Sequence, residues 1–267
     1  MAERLLVAVV SLRSSPYGRR MAIPARNGPA QPRAARSRDR AQRFEGFADT
    51  EGRFFRALAR NQDRDWFAVH REEYERGWHA PMQALLTETR ARLEPLYRHE
   101  PLAAPKVFRI YRDVRFSKDK SPYKTHIGGY VAVDGTGHGP SAAAALYFHV
   151  AADELFVAAG QYMMDGTQLA SFRRAIVDDG QGGTLQQLLR KLTRAGFGIG
   201  SHDTLQRVPR GFDPDHPRVD LLKRKGLIVT FPALPRRLLV SRKLVDWLTV
   251  HTKRTVPLVE WLAAVTA

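Results

Sequence analysis

The sequence predicts an α+β protein, with a mostly antiparallel sheet, helices at the N- and C-terminal ends, and a single domain. Three observations lead there. Apolar residues recur at helical spacing up to Leu96, alternate from Lys106 to about Ala159, and return to helical spacing from Leu169. The strand candidates follow one another without helices between them, so hairpins rather than parallel crossovers connect them. No internal repeat is visible, and one domain over 44–267 accounts for the pattern.

Ordered sequence begins near Phe44. Thr50 is placed to cap a helix carrying Phe54, Phe55 and Leu58, with Glu51 in its first turn. Asp63 starts a second helix, in which Trp66, His70, Tyr74 and Trp78 recur every four residues; that spacing reads as core packing. A third helix follows Pro81 through Met82, Leu85, Leu86, Leu93 and Leu96. From Lys106 the period becomes two. Phe108, Ile110, Val114 and Phe116 would share one strand face, and Arg109, Tyr111, Asp113 and Arg115 the other.

Further strands are expected at Tyr130–Val133, Ala144–Val150, Leu155–Ala159 and Leu227–Phe231, with Asp153-Glu154 turning a hairpin. Gly135, Gly137 and Gly139 mark a loop; Gly135-Thr-Gly-His-Gly139 is a weak likeness to a phosphate loop and reads better as a hairpin turn. Helices resume at Leu169–Val177 and Leu185–Leu192. A last one starts at Ser241, with Pro257 expected to kink or split it.

The net charge is +16, which by itself suggests a polyanionic partner. Its distribution weakens that idea. Residues 1–43 hold ten arginines against Glu3 and Asp39, half of the total charge. This Arg-, Pro- and Ala-rich extension is expected to be disordered, since it buries too little apolar area to offset ordering entropy. A secretory or twin-arginine signal fits it poorly; an organelle transit peptide and an overlong start, with translation beginning at or beyond Met21, both remain open. The chain has 34 Arg and 9 Lys; the bland reading of that bias is Arg-rich codon usage in a GC-rich genome, which makes compositional charge weak evidence.

There is no cysteine, which excludes disulfides, thiolate metal sites and a cysteine nucleophile. No apolar run approaches the roughly 20 residues of a membrane span. A cytoplasmic protein with no membrane partner is expected, and the oligomeric state is left open. The nine histidines show no metal-ligand spacing, and no Walker loop or nucleophile elbow occurs, so no metal and no cofactor are expected.

The most function-like segment runs from Arg109 to His126. It carries Arg109, Arg112, Arg115, Lys118, Lys120, Lys124 and His126 against Asp113 and Asp119. On a strand, Arg112 would intrude on the apolar face and need a carboxylate or an anion. Arg109 and Arg115 would flank Tyr111, a spacing suited to gripping phosphate or carboxylate oxygens. Four of the nine lysines lie between Lys106 and Lys124, a clustering that points to use as compact cations. The competing reading is a solvated turn, because Ser117-Lys-Asp-Lys-Ser-Pro122 is a good loop sequence whose charges can pair with one another.

Arg109-Ile-Tyr-Arg-Asp113 with Arg115-Phe-Ser-Lys-Asp-Lys-Ser-Pro-Tyr-Lys-Thr-His126 resembles the signature of the DUF2461 family of bacterial and fungal proteins. Two more segments are similar to it: Asn61 to Tyr74, with Asp65-Trp66-Phe67, and Arg207-Val-Pro-Arg-Gly-Phe-Asp-Pro-Asp-His-Pro217 followed by Leu221-Leu222-Lys223. Ser121 stands where the family pattern has Thr. The resemblance covers about 44–265 and implies one domain; it implies no activity. Within the second signature, Arg207 and Arg210 flank Pro209, and Asp213, Asp215 and His216 follow. If this loop folds back on the first run, the two form one cationic pocket; otherwise Asp213 or Asp215 caps the helix through Leu221 and the arginines pair locally.

Three functions compete. The first is binding or conversion of a small phosphorylated or carboxylated ligand by Arg109, Tyr111, Arg112, Arg115, Lys118, Lys120, Tyr123, Lys124, Arg207 and Arg210. His126 or Asp113 would then be the proton-transfer residue. The second is nucleic-acid binding, with Tyr111, Phe116 and Tyr123 stacking on bases. The third is an interaction module whose charges serve internal ion pairs. His149, on a strand, and His70, on an aromatic helix face, read as packed core histidines.

Overall fold

The computed structural model describes residues 43–115, 118–137 and 139–267. The expected disorder of the Arg-rich extension therefore falls outside the described residues, as do the expectations for Phe116, Ser117 and His138.

Three helices open the fold: α1 (Arg53–Arg60), α2 (Arg64–Tyr74) and α3 (Ala80–Leu93). Asp63 caps α2 as expected, its carboxylate accepting from the Trp66 N–H at 2.7 Å. A single π-helical turn, Glu75–His79, joins α2 to α3 without a break. The start of α1 differs from expectation. Asp49, not Thr50, gathers the free amides there, accepting from Glu51 and Gly52 at 2.6 Å each. The chain enters α1 through Gly52 at φ 63°, where an added Cβ would meet the Ala152 backbone at 2.9 Å.

Six antiparallel strands follow: β1 (Lys106–Val107), β2 (His126–Ala132), β3 (Ala143–Ala151), β4 (Leu155–Gln161), β5 (Gly198–Gly200) and β6 (Leu227–Thr230), in the order β1-β2-β3-β4-β6-β5. The β3–β4 hairpin turns at Asp153-Glu154 as the sequence indicates. The helices α4 (Gly166–Val177) and α5 (Asp179–Arg194) lead to β5. A one-turn helix, α6 (Val219–Leu222), precedes β6, and α7 (Lys243–Thr266) closes the chain. Pro257 does not split α7. It forfeits one backbone bond, but Val256, Leu258 and Val259 beside it are buried and hold the helix on the sheet. Among the described residues no helix is long and apolar enough to cross a membrane.

One face of the sheet carries the core. Ile127, Val131, Leu146, Phe148, Val150, Val157 and Val229 project into a cluster with Trp78, Leu85, Leu86, Leu244, Leu248 and Leu262 from the helices. Their neighbours at alternate positions face away. Tyr130, Ala132 and Ala142 form a second, small cluster with Phe108 and Tyr147 on the opposite, open face.

The strand expected from Phe108 onward is not formed among the described residues up to Arg115. Only Lys106–Val107 is a strand, and beyond it the chain keeps a looser pairing with the segment before β2. The Phe108 N–H bonds to Gly128 O, the Lys124 N–H to Ile110 O and the Arg112 N–H to Pro122 O, each within 2.9 Å. The register slips on the way: Val107 faces Gly129, but Tyr111 faces Tyr123. An advance of four positions on one side thus matches six on the other, and the strict alternation is lost. In consequence Phe108 packs on the open face whereas Ile110 enters the main core, so the two do not share a face.

Candidate functional site

The segment Arg109–His126 contains two different environments. Its outer loop pairs with itself. Arg115 grips the Asp113 carboxylate with two nitrogens, at 2.9 and 2.7 Å, and Asp113 is held at a pKa of about 2 by that hydrogen bond. Arg112 pairs with Asp119, whose carboxylate also accepts from the Ser121 hydroxyl and amide; Ser121 and then Arg112 hold its pKa at about 2. Lys120 donates to the Val114 carbonyl at 2.9 Å, and Lys118 is exposed. Both arginine–carboxylate pairs satisfy locally the charges that a strand would have left in need of an anion.

The inner part is different. Tyr123 is buried against Phe67, with ring centroids 4.5 Å apart, and its amide donates to the Gln62 side chain. Tyr111 remains 44% exposed beside it. Lys124 points to the open face of the sheet, its ammonium 5.5 Å from the Phe108 ring centroid. Burial lowers the Lys124 pKa, and the charges of Arg109 and Arg112 lower it further, so the three cations share one neighbourhood. Arg109 is exposed and forms no ion pair among the described residues.

Phe108 also walls a cavity of about 210 Å³ on that open face. Aromatic side chains from neighbouring strands form its sides: Tyr130 on β2, Tyr147 on β3, Phe156 and Tyr162 at the two ends of β4. Its floor is an absence of side chains, at Ala144, Ala158, Gly160, Gly198 and Gly200. Gly160 adopts φ +110°, and a Cβ there would fall inside the contact distance of the Leu227 carbonyl oxygen. At Gly198 a Cβ would lie 2.5 Å from the Thr230 hydroxyl. The β4–β6–β5 pairing therefore depends on glycine, and so does the space above it.

Histidines cluster at the Lys124 end. His126 opens β2, and its ring centroid lies 4.5 Å from that of His149 on β3. Burial, with Lys124 and Arg112 nearby, lowers the His126 pKa to about 4. His149 is 1% exposed, stacks on Phe156 and is likewise kept neutral by burial. Its Nδ1 lies 3.2 Å from the Tyr147 hydroxyl, and its Nε2 lies 3.5 Å from the Glu154 carboxylate. At the far end His202 lies beside Tyr162. Among the described residues no three His, Cys, Asp or Glu side chains converge to hold a metal.

The second signature lies elsewhere. Arg207–Pro217 leaves β5 and leads to α6, at the edge of the sheet opposite β1. No hydrogen bond, ion pair or ring contact joins it to the Arg109–His126 segment among the described residues. The two arginines Arg207 and Arg210 are exposed. Neither Asp213 nor Asp215 caps α6: Asp213 accepts from the Asp215 N–H, and Arg218 occupies the cap position with no side-chain cap bond. Arg218 itself is buried and ties Ile176 O and Asp179 to this loop, which gives the segment a bracing role.

Of the residues singled out in the sequence, Arg109, Arg112, Lys124 and His126 influence one another electrostatically, and Lys124 reaches the Phe108 ring that walls the cavity; none of the four lines the cavity itself. Tyr130, Tyr147, Glu154 and His202 carried no motif. The available signal was the pairing of Tyr147 and His149 at alternate positions on a strand face where a solvated sheet would be polar.

A family model described as a conserved hypothetical protein (DUF2461) matches residues 52–261. No curated protein and no solved structure matches the chain. The match spans the helical entry, the whole sheet and all but the end of α7, and the chain belongs to the DUF2461 family.

Proposed function

We propose that the protein binds a small molecule with an aromatic or other flat apolar body and one anionic group. The body occupies the cavity between Phe108, Tyr130, Tyr147 and Phe156, and the anionic group meets Lys124 with Arg109 beside it. One observation carries the reading: Phe108 is at once a wall of the cavity and the ring beneath the Lys124 ammonium. The volume of about 210 Å³ exceeds the roughly 150 Å³ of an engineered apolar cavity that holds benzene. An anion at Lys124 also relieves the crowding of three cations, so binding gains from charge as well as from apolar burial. A ligand of this kind suits the expected cytoplasmic setting.

Nucleic-acid binding is the weaker reading. Tyr111 is exposed, but Tyr123 is 3% exposed and its ring is already stacked on Phe67, which leaves no face for a base.

Thermal denaturation of the full chain with phenyl phosphate, benzoate and inorganic phosphate tests the proposal. Both aromatic anions raise the midpoint in proportion to the logarithm of their concentration, stabilising the fold by about 2.7 kcal/mol at a hundredfold excess over Kd, while inorganic phosphate has a smaller effect. Equal responses to phenyl phosphate and inorganic phosphate, or none to either aromatic anion, would refute a cavity-bound body.

A further inference from the structure

Tyr147, His149 and Glu154 lie in a line that leads out of the cavity. The Tyr147 ring lines the cavity, and its hydroxyl lies 3.2 Å from His149 Nδ1. The imidazole is almost fully buried, and its other nitrogen, Nε2, has no hydrogen-bond partner. That nitrogen is 3.5 Å from Glu154, whose side chain is 41% exposed at the β3–β4 turn. A buried imidazole between a cavity hydroxyl and a surface carboxylate is a means of moving a proton, not merely a packed ring.

The neighbours fix its direction. A carboxylate opposite Nε2 favours a proton on that nitrogen, which leaves Nδ1 to accept from the Tyr147 hydroxyl. Gly128 makes the geometry possible, because a Cβ at that position would crowd the Tyr147 oxygen at 3.1 Å. The sequence His126-Ile-Gly-Gly129 thus leaves space on β2 for a hydroxyl supplied by β3. The imidazole in the line carries no charge: burial holds His149 neutral, as it does the neighbouring His126, and burial beside Asp153 raises the Glu154 pKa, which makes that carboxylate the better proton acceptor.

We propose that the cavity is a proton-abstraction site in which Tyr147 takes a proton from the bound ligand and the His149 imidazole passes one on to Glu154. The inference rests on the ligand-binding reading above and adds a reaction to it. The substrate class is a small aromatic or heteroaromatic acid whose C–H or O–H proton faces Tyr147 and whose anion is stabilised by Lys124. The ligand C–H or O–H bond breaks and its electron pair stays on the ligand. Its proton bonds to the Tyr147 oxygen, the phenolic proton moves to Nδ1, and the Nε2 proton moves to the Glu154 carboxylate. The net change is a deprotonated ligand and a protonated Glu154, and no charge is left on the buried imidazole. Tyr147 is the catalytic residue; His149 and Glu154 act through it.

Two measurements on the full chain decide the matter. The first is the base-promoted elimination of 5-nitrobenzisoxazole, a flat probe. Loss of its C–H proton breaks the N–O bond, forms a nitrile and releases a coloured phenolate. Wild type accelerates this reaction with saturation, and Tyr147→Phe lowers kcat by about 100-fold, the ordinary scale of general-base catalysis. Glu154→Gln lowers kcat with little change in KM, and Glu154→Asp restores part of it. Calorimetry with unreactive 5-nitroindazole reads binding separately. Binding without acceleration, or variants as active as wild type, would overturn the relay and leave the binding reading standing. Absence of 5-nitroindazole binding would count against the cavity as a ligand site. The second measurement, the ¹⁵N spectrum of the imidazole nitrogens, then judges the relay on its own. A bare Nδ1 and a protonated Nε2 on His149 support it; the opposite tautomer overturns it.

Discussion

The hairpin loop around Asp113–Ser121 and the open face of the sheet lie next to each other and treat charge in opposite ways. The loop holds most of the charged side chains that make the sequence conspicuous, and its two carboxylates, Asp113 and Asp119, are each paired with an arginine. The sheet face holds few ionisable groups, and burial shifts almost every one of them. Exposed charges in high dielectric pair locally and contribute little net energy. A few groups at a half-dry apolar surface are each strongly perturbed, and that is where proton transfer and anion binding become strong. Density of charge was therefore a poor guide to the site, and scarcity of solvent a better one.

The sharpest way to break the comparison is to fill the cavity floor. Gly160→Ala combines a positive φ with a clash against the Leu227 carbonyl, and should cost about 3 kcal/mol or more. Chemical denaturation measures it. A loss under about 0.5 kcal/mol, the range of a neutral surface change, would mean that the β4–β6 pairing does not depend on this glycine.

Acid provides the next test. Because His126 is held near pKa 4 against an ordinary value of 6.5, the unfolded chain binds more protons than the folded one between those values. Stability is therefore full above pH 6.5 and declines as pH falls toward 4, by on the order of 3 kcal/mol from this residue. His149 acts in the same direction, and the groups facing the pair are Lys124, Arg112, Glu154 and the Tyr147 hydroxyl. The variant His126→Gln should flatten the decline. A wild-type melting midpoint that stays level from pH 6.5 to 4.5 would contradict the neutral histidine pair.

The loop supplies the smallest effect. Asp113→Asn removes the partner of Arg115 in an exposed pair, and no measurable change in melting is expected at neutral pH. The pair itself persists until pH falls toward 2, where Asp113 protonates, and NMR of the Arg115 side-chain N–H groups follows it. A melting shift as large as that of Gly160→Ala would show that the loop, not the sheet face, carries the stability of this edge.

Much of the fold was legible because its signals are local. The Asp63 cap, the apolar spacing of α3 and α7, and the Asp153-Glu154 turn each specify an element within a few residues. Two features were not. The register slip between Val107 and Tyr111 depends on the partner strand, so the alternation beginning at Phe108 pointed to a strand that tertiary pairing does not build over residues 108–115. β5 is three residues long with two glycines and has no period to read. The site was half legible for the same reason. Lys124, Arg109, Arg112 and His126 stood out as charges, but the floor of the cavity beyond Phe108 is made by side chains that are missing, and absence leaves no periodic trace.

The most direct test of the central claim is calorimetric titration of the full chain with phenyl phosphate, comparing wild type, Lys124→Gln and the double variant Arg207→Gln/Arg210→Gln. The expected result is a loss of affinity of about tenfold or more, near 1.4 kcal/mol, in Lys124→Gln alone, with the double variant binding as wild type does. Equal affinity in wild type and Lys124→Gln, or a loss confined to the double variant, would contradict an anion site at the Phe108–Lys124 mouth of the cavity.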